Sequence, residues 1–376
     1  MKIETYMERK HVKNLIEMAG NLPSLTKGKY TPRVNRIADI MKNAGDTIAK
    51  DATKTALRKT PVSIGYYQHH KRLLEQINGT LTRMTNDITV NISDAMATEW
   101  MLSNEKNDMI VKKYIRGMKV PLILQTSMGQ LNIGAMQAFI DRQVNGLGLS
   151  ERVWKLTNGF KEQIELYLGS GIATGRSAQK ISQDIRQMLI EPNKLFRKIR
   201  DPKTGKLILS KPAMLYHPGV GVYRSSYKNA MRLARTEVNM AYRMADNVRR
   251  QQIPFITGVI VHLSAAHPRQ DICDEMAGEY PPGFSFMGWH PMCICYTTNK
   301  LMSKNDFKAY LLTGHVKPSL YTQYAPQIAV RYVQKHVGKI NKMKNAPYWM
   351  DNFTKTGKLK KSVSNLPVYD YEGDLT

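Results

Sequence analysis

The stretch that decides the fold of the C-terminal half is residues 262–295, HLSAAHPRQDICDEMAGEYPPGFSFMGWHPMCIC. It contains all 3 cysteines of the chain and 3 of its 9 histidines. Side chains that merely fill a core are rarely so concentrated, whereas metal ligands often are. The stretch therefore predicts a site in this part of the chain.

The cysteines and one histidine have a spacing that suits a metal ion. Zinc prefers four nitrogen or sulfur ligands in a tetrahedron, and the 16-residue loop between the first cysteine and the closing motif is long enough to fold back. A disulfide framework is a poor explanation in a reducing compartment. We predict a zinc site in which His267 or Asp271 can add a ligand on the first side. The main candidate ligands are Cys273, His290, Cys293 and Cys295.

Other interpretations of the cluster stay open. The two closing cysteines can pack as small hydrophobic side chains on one face of a strand. His262 or His267 with Asp271 can hold a catalytic metal, which would make the chain a metal-dependent nuclease or a toxin-like enzyme. A cysteine nucleophile paired with His290 is a weaker alternative because no orienting partner is evident.

Aromatic side chains crowd the loop between Cys273 and His290. They either form a stacking surface for nucleobases or give an irregular loop its own small core, and we favour the core. The residues concerned are Tyr280, Phe284, Phe286 and Trp289.

The segments before this stretch predict a helix followed by a strand. In residues 223–252, YRSSYKNAMRLARTEVNMAYRMADNVRRQQ, alanine and valine recur every three or four positions, which indicates a long helix with a narrow apolar face. Pro254 ends that helix, and the β-branched run FITGVIVHLSAA at 255–266 is typical of a strand. Further upstream, RDPKTGKLILSK at 200–211 indicates a β-hairpin arm.

We predict an α+β protein that is predominantly helical, in which a helical N-terminal region precedes a small α+β module closed by the His/Cys motif. A chain of 376 residues has room for two or three domains. The predicted regions are a helical N-terminal region at 1–149, a helical block with the hairpin arm at 150–224, the module at 225–299, and a basic, partly flexible C-terminal tail at 300–376.

The net charge narrows the range of partners. The chain has 56 basic and 30 acidic side chains, a formal net charge of +26, and such a field attracts polyanions regardless of their sequence. The charge favours nucleic acid, with an acidic protein surface as the alternative. The N-terminal residues lack the apolar core of a secretory signal, and polar side chains and glycines interrupt the uncharged run 120–140. We therefore expect a cytoplasmic protein with no membrane segment.

Three motifs follow one another between residues 231 and 296: MRLARTEVNMAYR, SAAHPRQDICDEMAGEYPPGF and GWHPMCICY. Their order and spacing resemble the signature of the phage Mu F-like minor head protein family, also called phage head morphogenesis proteins. Many members have a further cysteine where this chain has Gln270, which leaves His267 as a substitute ligand. The matching positions are Arg235, Glu237 and Asn239 in the helix, Asp271, Cys273 and Gly278 in the middle motif, and His290, Pro291, Cys293 and Cys295 at the end.

The resemblance implies a minor capsid protein of a tailed phage, located inside the head at the portal vertex after assembly in the host cytoplasm. Proteins of this family assist head morphogenesis and DNA packaging or delivery. The implied partners are the portal protein, the major capsid or scaffold proteins and, non-specifically, double-stranded DNA. Some domains of the family are attached to toxin enzymes, but no such extension is recognisable here, so we expect no enzymatic activity. Arg235 and Glu237 are expected to make a structural ion pair or a helix-terminus contact rather than to act in catalysis.

Overall fold

The computed structural model of the protein describes residues 31–56, 71–173, 198–200, 203–209, 223, 225–267 and 270–364. The fold class predicted from the sequence is confirmed, since helices dominate and a small antiparallel sheet follows them. The helices are α1 (Thr31–Ala56), α2 (Lys71–Ile115), α3 (Leu122–Met128), α4 (Ile133–Asp141), α5 (Leu149–Ala173), α6 (Ser226–Arg250), α7 (Ile272–Met276), α8 (Lys304–Thr313), α9 (Gln327–Ile340) and α10 (Lys361–Ser364). The strands are β1 (Lys198–Arg200), β2 (Leu207–Leu209), β3 (Ile256–His262), β4 (Gly278–Tyr280) and β5 (Tyr296–Leu301).

The described residues form two compact units, each built from segments that are distant in the chain. The helical unit takes its described residues from 31–95 and 141–235, and the sheet-containing unit takes them from 96–140 and 236–364. The regions predicted from the sequence follow chain order, whereas these units do not. The division proposed at residues 149, 224 and 299 therefore differs from the way in which the chain packs.

Amphipathic helices build the helical unit. Thr85 on α2 donates a hydrogen bond from Oγ1 to Oγ1 of Thr157 on α5 over 2.9 Å. Strands β1 and β2 form the antiparallel hairpin that the sequence predicted, but residues 174–197 and 210–222 of the same predicted block lie outside the described residues. Apolar side chains at helical spacing are buried on α1 (Ile37, Met41, Ile48), on α2 (Ile77, Leu81, Met84, Ile88, Ile92) and on α5 (Val153, Phe160, Ile164).

A three-stranded antiparallel sheet in the order β4-β3-β5 forms the centre of the other unit. The middle strand β3 is almost continuously buried, so both of its faces are covered. A strand covered on both faces has no need of alternating polar residues, which explains the apolar run in its sequence. Pairing places Val261 opposite Gly278 on one side and opposite Thr297 on the other.

The aromatic residues of the loop form a core, as we favoured from the sequence. The rings of Tyr280 and Phe284 stack with centroids 3.9 Å apart, and Trp289 packs edge-on against Phe286 at 5.0 Å. All four side chains are at most 3% exposed. None of them is available to stack on a nucleobase, so that alternative is excluded.

The prediction of a partly flexible C-terminal tail is wrong for residues 304–364, which are folded. Helices α8 and α9 and the 3₁₀ turn Tyr348–Asn352 are ordered there, and Ala329 and Val333 are fully buried in the core that holds Cys273. The abundant lysines suggested a solvated tail, but the apolar residues between them pack into the core. Residues 365–376 lie outside the described part of the chain.

A buried charged group fastens α6 to the C-terminal part of α2. Asp246 is 1% exposed and accepts hydrogen bonds from Lys106 Nζ at 2.5 Å and from Asn107 Nδ2 at 2.9 Å. Arg250 pairs with its other oxygen over 3.2 Å. Burial alone would raise the pKa of Asp246, but the charges of Lys106 and Arg250 outweigh it and lower the pKa to about 2. This network fixes the helix that supports the cysteine cluster.

None of the helices in the described part of the chain is long and apolar enough to span a bilayer.

Candidate metal centre

The first half of the cluster is positioned by the N-terminus of α7. Asp271 is the N-cap, and its side chain accepts a hydrogen bond from the backbone N–H of Cys273 at 2.7 Å. The carboxylate of Asp274 accepts one in return from the N–H of Asp271 at 2.8 Å. This reciprocal capping box is the usual way in which a short polar segment starts a helix. It holds Cys273 in the first turn, where its side chain is buried.

The second half is a tight turn that α6 supports. The N–H of Cys293 donates to the carbonyl of His290 at 3.1 Å, and Met292 between them has a left-handed φ of 59°. A non-glycine residue in this conformation is uncommon and needs support from its surroundings. Thr236 on α6 gives that support, because its Oγ1 accepts a hydrogen bond from the N–H of Met292 at 3.1 Å.

Arg243, which also lies on α6, supports the same turn through hydrogen bonds to its backbone. Its guanidinium donates to the carbonyl oxygens of Met287 at 3.1 Å, Cys293 at 2.7 Å and Cys295 at 2.8 Å. It also lies over the ring of Phe286, 4.8 Å from the centroid. These carbonyls belong to an irregular segment with no strand partner, so the arginine replaces the backbone donors that a sheet would supply.

These supports bring three candidate ligands together. The Sγ of Cys273 lies 3.2 Å from Nε2 of His290 and 3.9 Å from Sγ of Cys293. All three ligand atoms lie within 4.8 Å of one another, an arrangement that could hold a metal ion. Both cysteines are buried, whereas His290 is partly exposed. The sequence correctly predicted that these three residues meet.

A second group adjoins the first and shares Cys273 with it. It consists of His267, Asp271 and Cys273, whose ligand atoms also lie within 4.8 Å of one another. One oxygen of Asp271 is 3.2 Å from Nε2 of His267, and the other is 3.4 Å from Nε2 of His290. The carboxylate therefore bridges the two histidines beside the thiol.

Charge within the cluster is unequally distributed. Hydrogen bonds from the thiols of Cys273 and Cys295, together with the charge of Arg243, lower the pKa of Cys293 far below its ordinary value. The pKa of Cys273 is raised, because it donates to Cys293 and because both thiols are buried. Desolvation would raise the pKa of Asp271, but hydrogen bonds from Cys273 and His267 lower it overall. Arg243 thus favours a thiolate at Cys293, whereas the neighbouring thiols and burial oppose one at Cys273.

Two of the predicted ligand candidates belong to neither group of ligand atoms found among the described residues. Cys295 is buried in the same core, where its thiol interacts with the thiols of Cys273 and Cys293. His262 is on β3, where its ring stacks on Tyr296 and its Nε2 lies 2.7 Å from Oγ1 of Thr298. The catalytic-metal alternative therefore keeps His267 and Asp271 and loses His262.

The remaining motif residues have structural positions. Asn239 on α6 reaches the carbonyl of Cys293 at 3.5 Å. Gly278 has a φ of 139°, and a Cβ there would lie 2.6 Å from Cγ of Pro326. The carbonyl of Pro291 lies 2.9 Å from Nδ1 of His290, which orients the imidazole ring.

The basic and acidic residues of the first motif, MRLARTEVNMAYR, differ in their exposure. Arg235 is exposed, whereas Glu237 is 3% exposed. Residues two positions apart on a helix do not face each other, so these two side chains do not form an ion pair with one another.

The role of Arg243 was not predicted from the sequence, although a signal was present. Thr236, Asn239 and Arg243 recur at helical spacing on the face of α6 opposite to its alanine stripe. Three polar residues on one face of a helix that precedes a cysteine-rich loop could have indicated side chains that hydrogen-bond to the backbone of that loop.

No protein-family model, curated protein or solved structure matches this chain.

Proposed function

We propose that this chain is a minor head protein of a tailed phage, which acts in head morphogenesis and in the packaging or delivery of DNA. The observation that carries the proposal is that the three motifs meet in one place. Asn239 contacts Cys293 although the two residues are 54 positions apart, and Cys273 of the middle motif lies beside His290 and Cys293. Residues from all three motifs therefore contribute to one cluster of contacts.

The net charge supports contact with double-stranded DNA. A net charge of +26 favours phosphate without any need to read bases. Inside a head filled with DNA, a protein meets phosphate at high local concentration. We propose the portal protein and the major capsid or scaffold proteins as the protein partners, with assembly in the host cytoplasm and a final location inside the virion head.

We further propose that the metal is zinc and that its role is structural. Two thiolates and an imidazole are donors that bind zinc in preference to calcium or magnesium. Two thiolates at about 2.3 Å from a tetrahedral zinc lie about 3.8 Å apart. The observed Sγ–Sγ distance of 3.9 Å fits that geometry. The ion would join α7 to the closing turn, and no enzymatic activity is proposed.

The phage assignment is tested by proteomics of purified virions and by deletion of the gene. We expect the protein in virions at low copy number, and we expect the deletion to give heads that are defective or lack DNA. Pull-down from infected cells should recover the portal or a capsid protein. Absence of the protein from virions, together with normal DNA-filled heads after deletion, would contradict the proposal.

The second candidate function is a metal-dependent nuclease or toxin-like enzyme. The observation that favours it is the carboxylate of Asp271 between His267 and His290, beside a group that can bind a cation. Such an arrangement can activate a metal-bound water. Incubation of supercoiled plasmid with the purified protein and Zn²⁺, Mg²⁺ or Mn²⁺ separates the two functions. Plasmid that stays intact after long incubation argues against the enzyme, and nicking that Asp271→Asn abolishes supports it.

A further inference from the structure

Residues 327–364 carry a large share of the net charge. This segment of 38 residues contains nine lysines and arginines and one carboxylate, that of Asp351, which gives it a net charge of +8. The whole chain of 376 residues has a net charge of +26. Nearly a third of the net charge therefore lies in a tenth of the chain, a segment that is folded rather than a tail.

Helix α9 separates its charged and apolar side chains on opposite faces. Ala329, Val333 and Ile340 are buried in the core of the sheet-containing unit. Arg331, Lys335 and Lys339 recur at every fourth position on the other face and are exposed. Since four residues rise about 6 Å along a helix, these cations form a row about 12 Å long. Lys342, also exposed, continues the row just after the helix ends.

A turn at residues 353–359 adds two more cations beside this helix. The turn is closed by the N–H of Thr354, which donates to the carbonyl of Lys358 at 2.7 Å. Asn341 at the end of α9 donates from Nδ2 to the carbonyl of Lys355 at 2.9 Å. Gly357 lies so close to Gln334 of α9 that a Cβ would be 3.2 Å from its backbone. The exposed side chains of Lys355 and Lys358 are therefore held next to the helical row.

We define the α9 face as the exposed side chains of Arg331, Lys335, Lys339, Lys342, Lys355 and Lys358. Within the part of the chain that the structure describes, no carboxylate forms an ion pair with any of these six residues. Their charges are thus available to an external anion, and their long side chains can adjust to its position.

We propose that the α9 face is the surface through which this protein contacts double-stranded DNA, by way of the phosphate backbone. This inference rests on the DNA contact in the proposed function and gives that contact a location. One DNA strand presents a phosphate about every 3.4 Å of helix axis, so a row of cations about 12 Å long meets several phosphates at once. Protein interfaces are depleted in lysine, whereas lysine and arginine side chains are regular donors to DNA phosphates.

The test is DNA binding by the full-length protein, measured by fluorescence anisotropy with a labelled duplex of about 30 base pairs and arbitrary sequence, between about 50 and 200 mM salt. One variant replaces three lysines of the α9 face: Lys335→Gln, Lys339→Gln and Lys342→Gln. The matched control removes the same charge from exposed lysines near the end of α2: Lys112→Gln, Lys113→Gln and Lys119→Gln. Circular dichroism and the thermal midpoint verify that both variants are folded.

We expect the α9 variant to lose about 3 from the slope of log K against log salt concentration, because each phosphate contact contributes about 0.9. At about 0.1 M salt, where the logarithm of the salt concentration is about −1, that change weakens binding by nearly three orders of magnitude. The control should keep the wild-type slope. The pair Lys355→Gln and Lys358→Gln should lose about 2 from the slope and gives an independent measurement of the same face.

Each other outcome overturns the inference in a recognisable way. Equal losses in the α9 variant and in the control would show that only total charge matters. An unchanged α9 variant beside a wild type that binds DNA would place the contact elsewhere and leave the proposed function intact. A wild type that does not bind DNA would reject both this inference and the DNA contact in the proposed function. Competition by poly-glutamate as strong as that by DNA, at equal charge concentration, would assign the face to an acidic protein instead.

Discussion

At the scale of single residues, the candidate metal centre depends most on Cys273, which belongs to both groups of ligand atoms. A serine hydroxyl is a far weaker zinc ligand than a thiolate. We expect Cys273→Ser to lower the zinc content from about one equivalent to below about a tenth, because binding is linked to the deprotonated ligand set. Elemental analysis of protein purified without chelator measures this directly.

Cys295→Ser distinguishes a site of three protein ligands from one of four. The Cys295 thiol adjoins those of Cys273 and Cys293 but belongs to neither group, so a site of three protein ligands predicts that this variant keeps its zinc. If both folded variants lost the metal, Cys295 would be a fourth ligand, as the sequence suggested. Wild-type protein with less than about a tenth of an equivalent would reject zinc altogether.

Arg243 gives a second prediction at this scale. Arg243→Met keeps much of the aliphatic stem but removes the donors to the carbonyls of Met287, Cys293 and Cys295. Hydrogen bonds from a charged donor to buried acceptors are costly to lose, and we expect the free energy of unfolding to fall by about 3 kcal/mol. Urea unfolding measures the change. Arg235→Met, at an exposed position of the same helix, should stay within about 0.5 kcal/mol of wild type, and similar losses in both would argue against this role of Arg243.

At the scale of elements, the contact between α2 and α6 depends on Asp246. Its removal as Asp246→Asn leaves Arg250 buried without a negative partner and Lys106 without its carboxylate. Breaking one side of a buried ion pair costs about 3–5 kcal/mol, and we expect a loss of that size in urea unfolding at neutral pH. Asp39→Asn on the exposed face of α1 is the control and should change little.

The pH dependence of stability distinguishes the charge of Asp246 from its packing. The folded-state pKa is lowered to about 2, whereas the unfolded value is about 3.9. The charged form therefore stabilises the fold above about pH 4, and this contribution is lost as the pH falls towards 2. Wild type should lose that part of its stability between about pH 4 and pH 2, and Asp246→Asn should lack it. Parallel pH profiles for the two proteins would contradict the role assigned to the ion pairs.

The elements also show which structural features a sequence can predict. Helix α6 and strand β3 follow from regular patterns, alanine every three or four residues and a continuous β-branched run. Helix α9 was missed because its lysines suggested a tail, although Ala329, Val333 and Ile340 have helical spacing. The left-handed Met292 and the exclusion of Cys295 from the ligand groups depend on contacts with α6 and the core. Such contacts join distant residues, and local patterns do not contain them.

At the scale of the whole molecule, the candidate metal centre and the cationic surface share one core. Val333 of α9 is buried in the same cluster as Cys273 and Cys293. The cysteine cluster, which first suggests chemistry, thus lies in the same core as α9, the helix that carries the charged face. The sequence placed the charge in a tail and the site in a separate module, whereas the fold makes them parts of one unit.

The size of that core determines what removal of the metal should do. In small zinc fingers the metal supplies the folding free energy, about 10–16 kcal/mol. Here the core also buries Tyr280, Phe284, Trp289, Trp349 and Phe353, and full burial of each such side chain contributes about 1.5–3 kcal/mol. Apolar burial of this size should keep the unit folded without the ion. The effect of a chelator should therefore be local.

We expect hydrogen–deuterium exchange with mass spectrometry to show this locality. After chelation and removal of the metal, residues 270–276 and 287–295 should exchange faster, because the ion no longer ties α7 to the closing turn. Strand β3 and helix α9 should keep their protection, since the apolar core holds them. Peptides from 74–95 in the helical unit are the internal control and should not change. Loss of protection throughout 256–340 would instead mean that this unit folds only with its metal, as zinc fingers do.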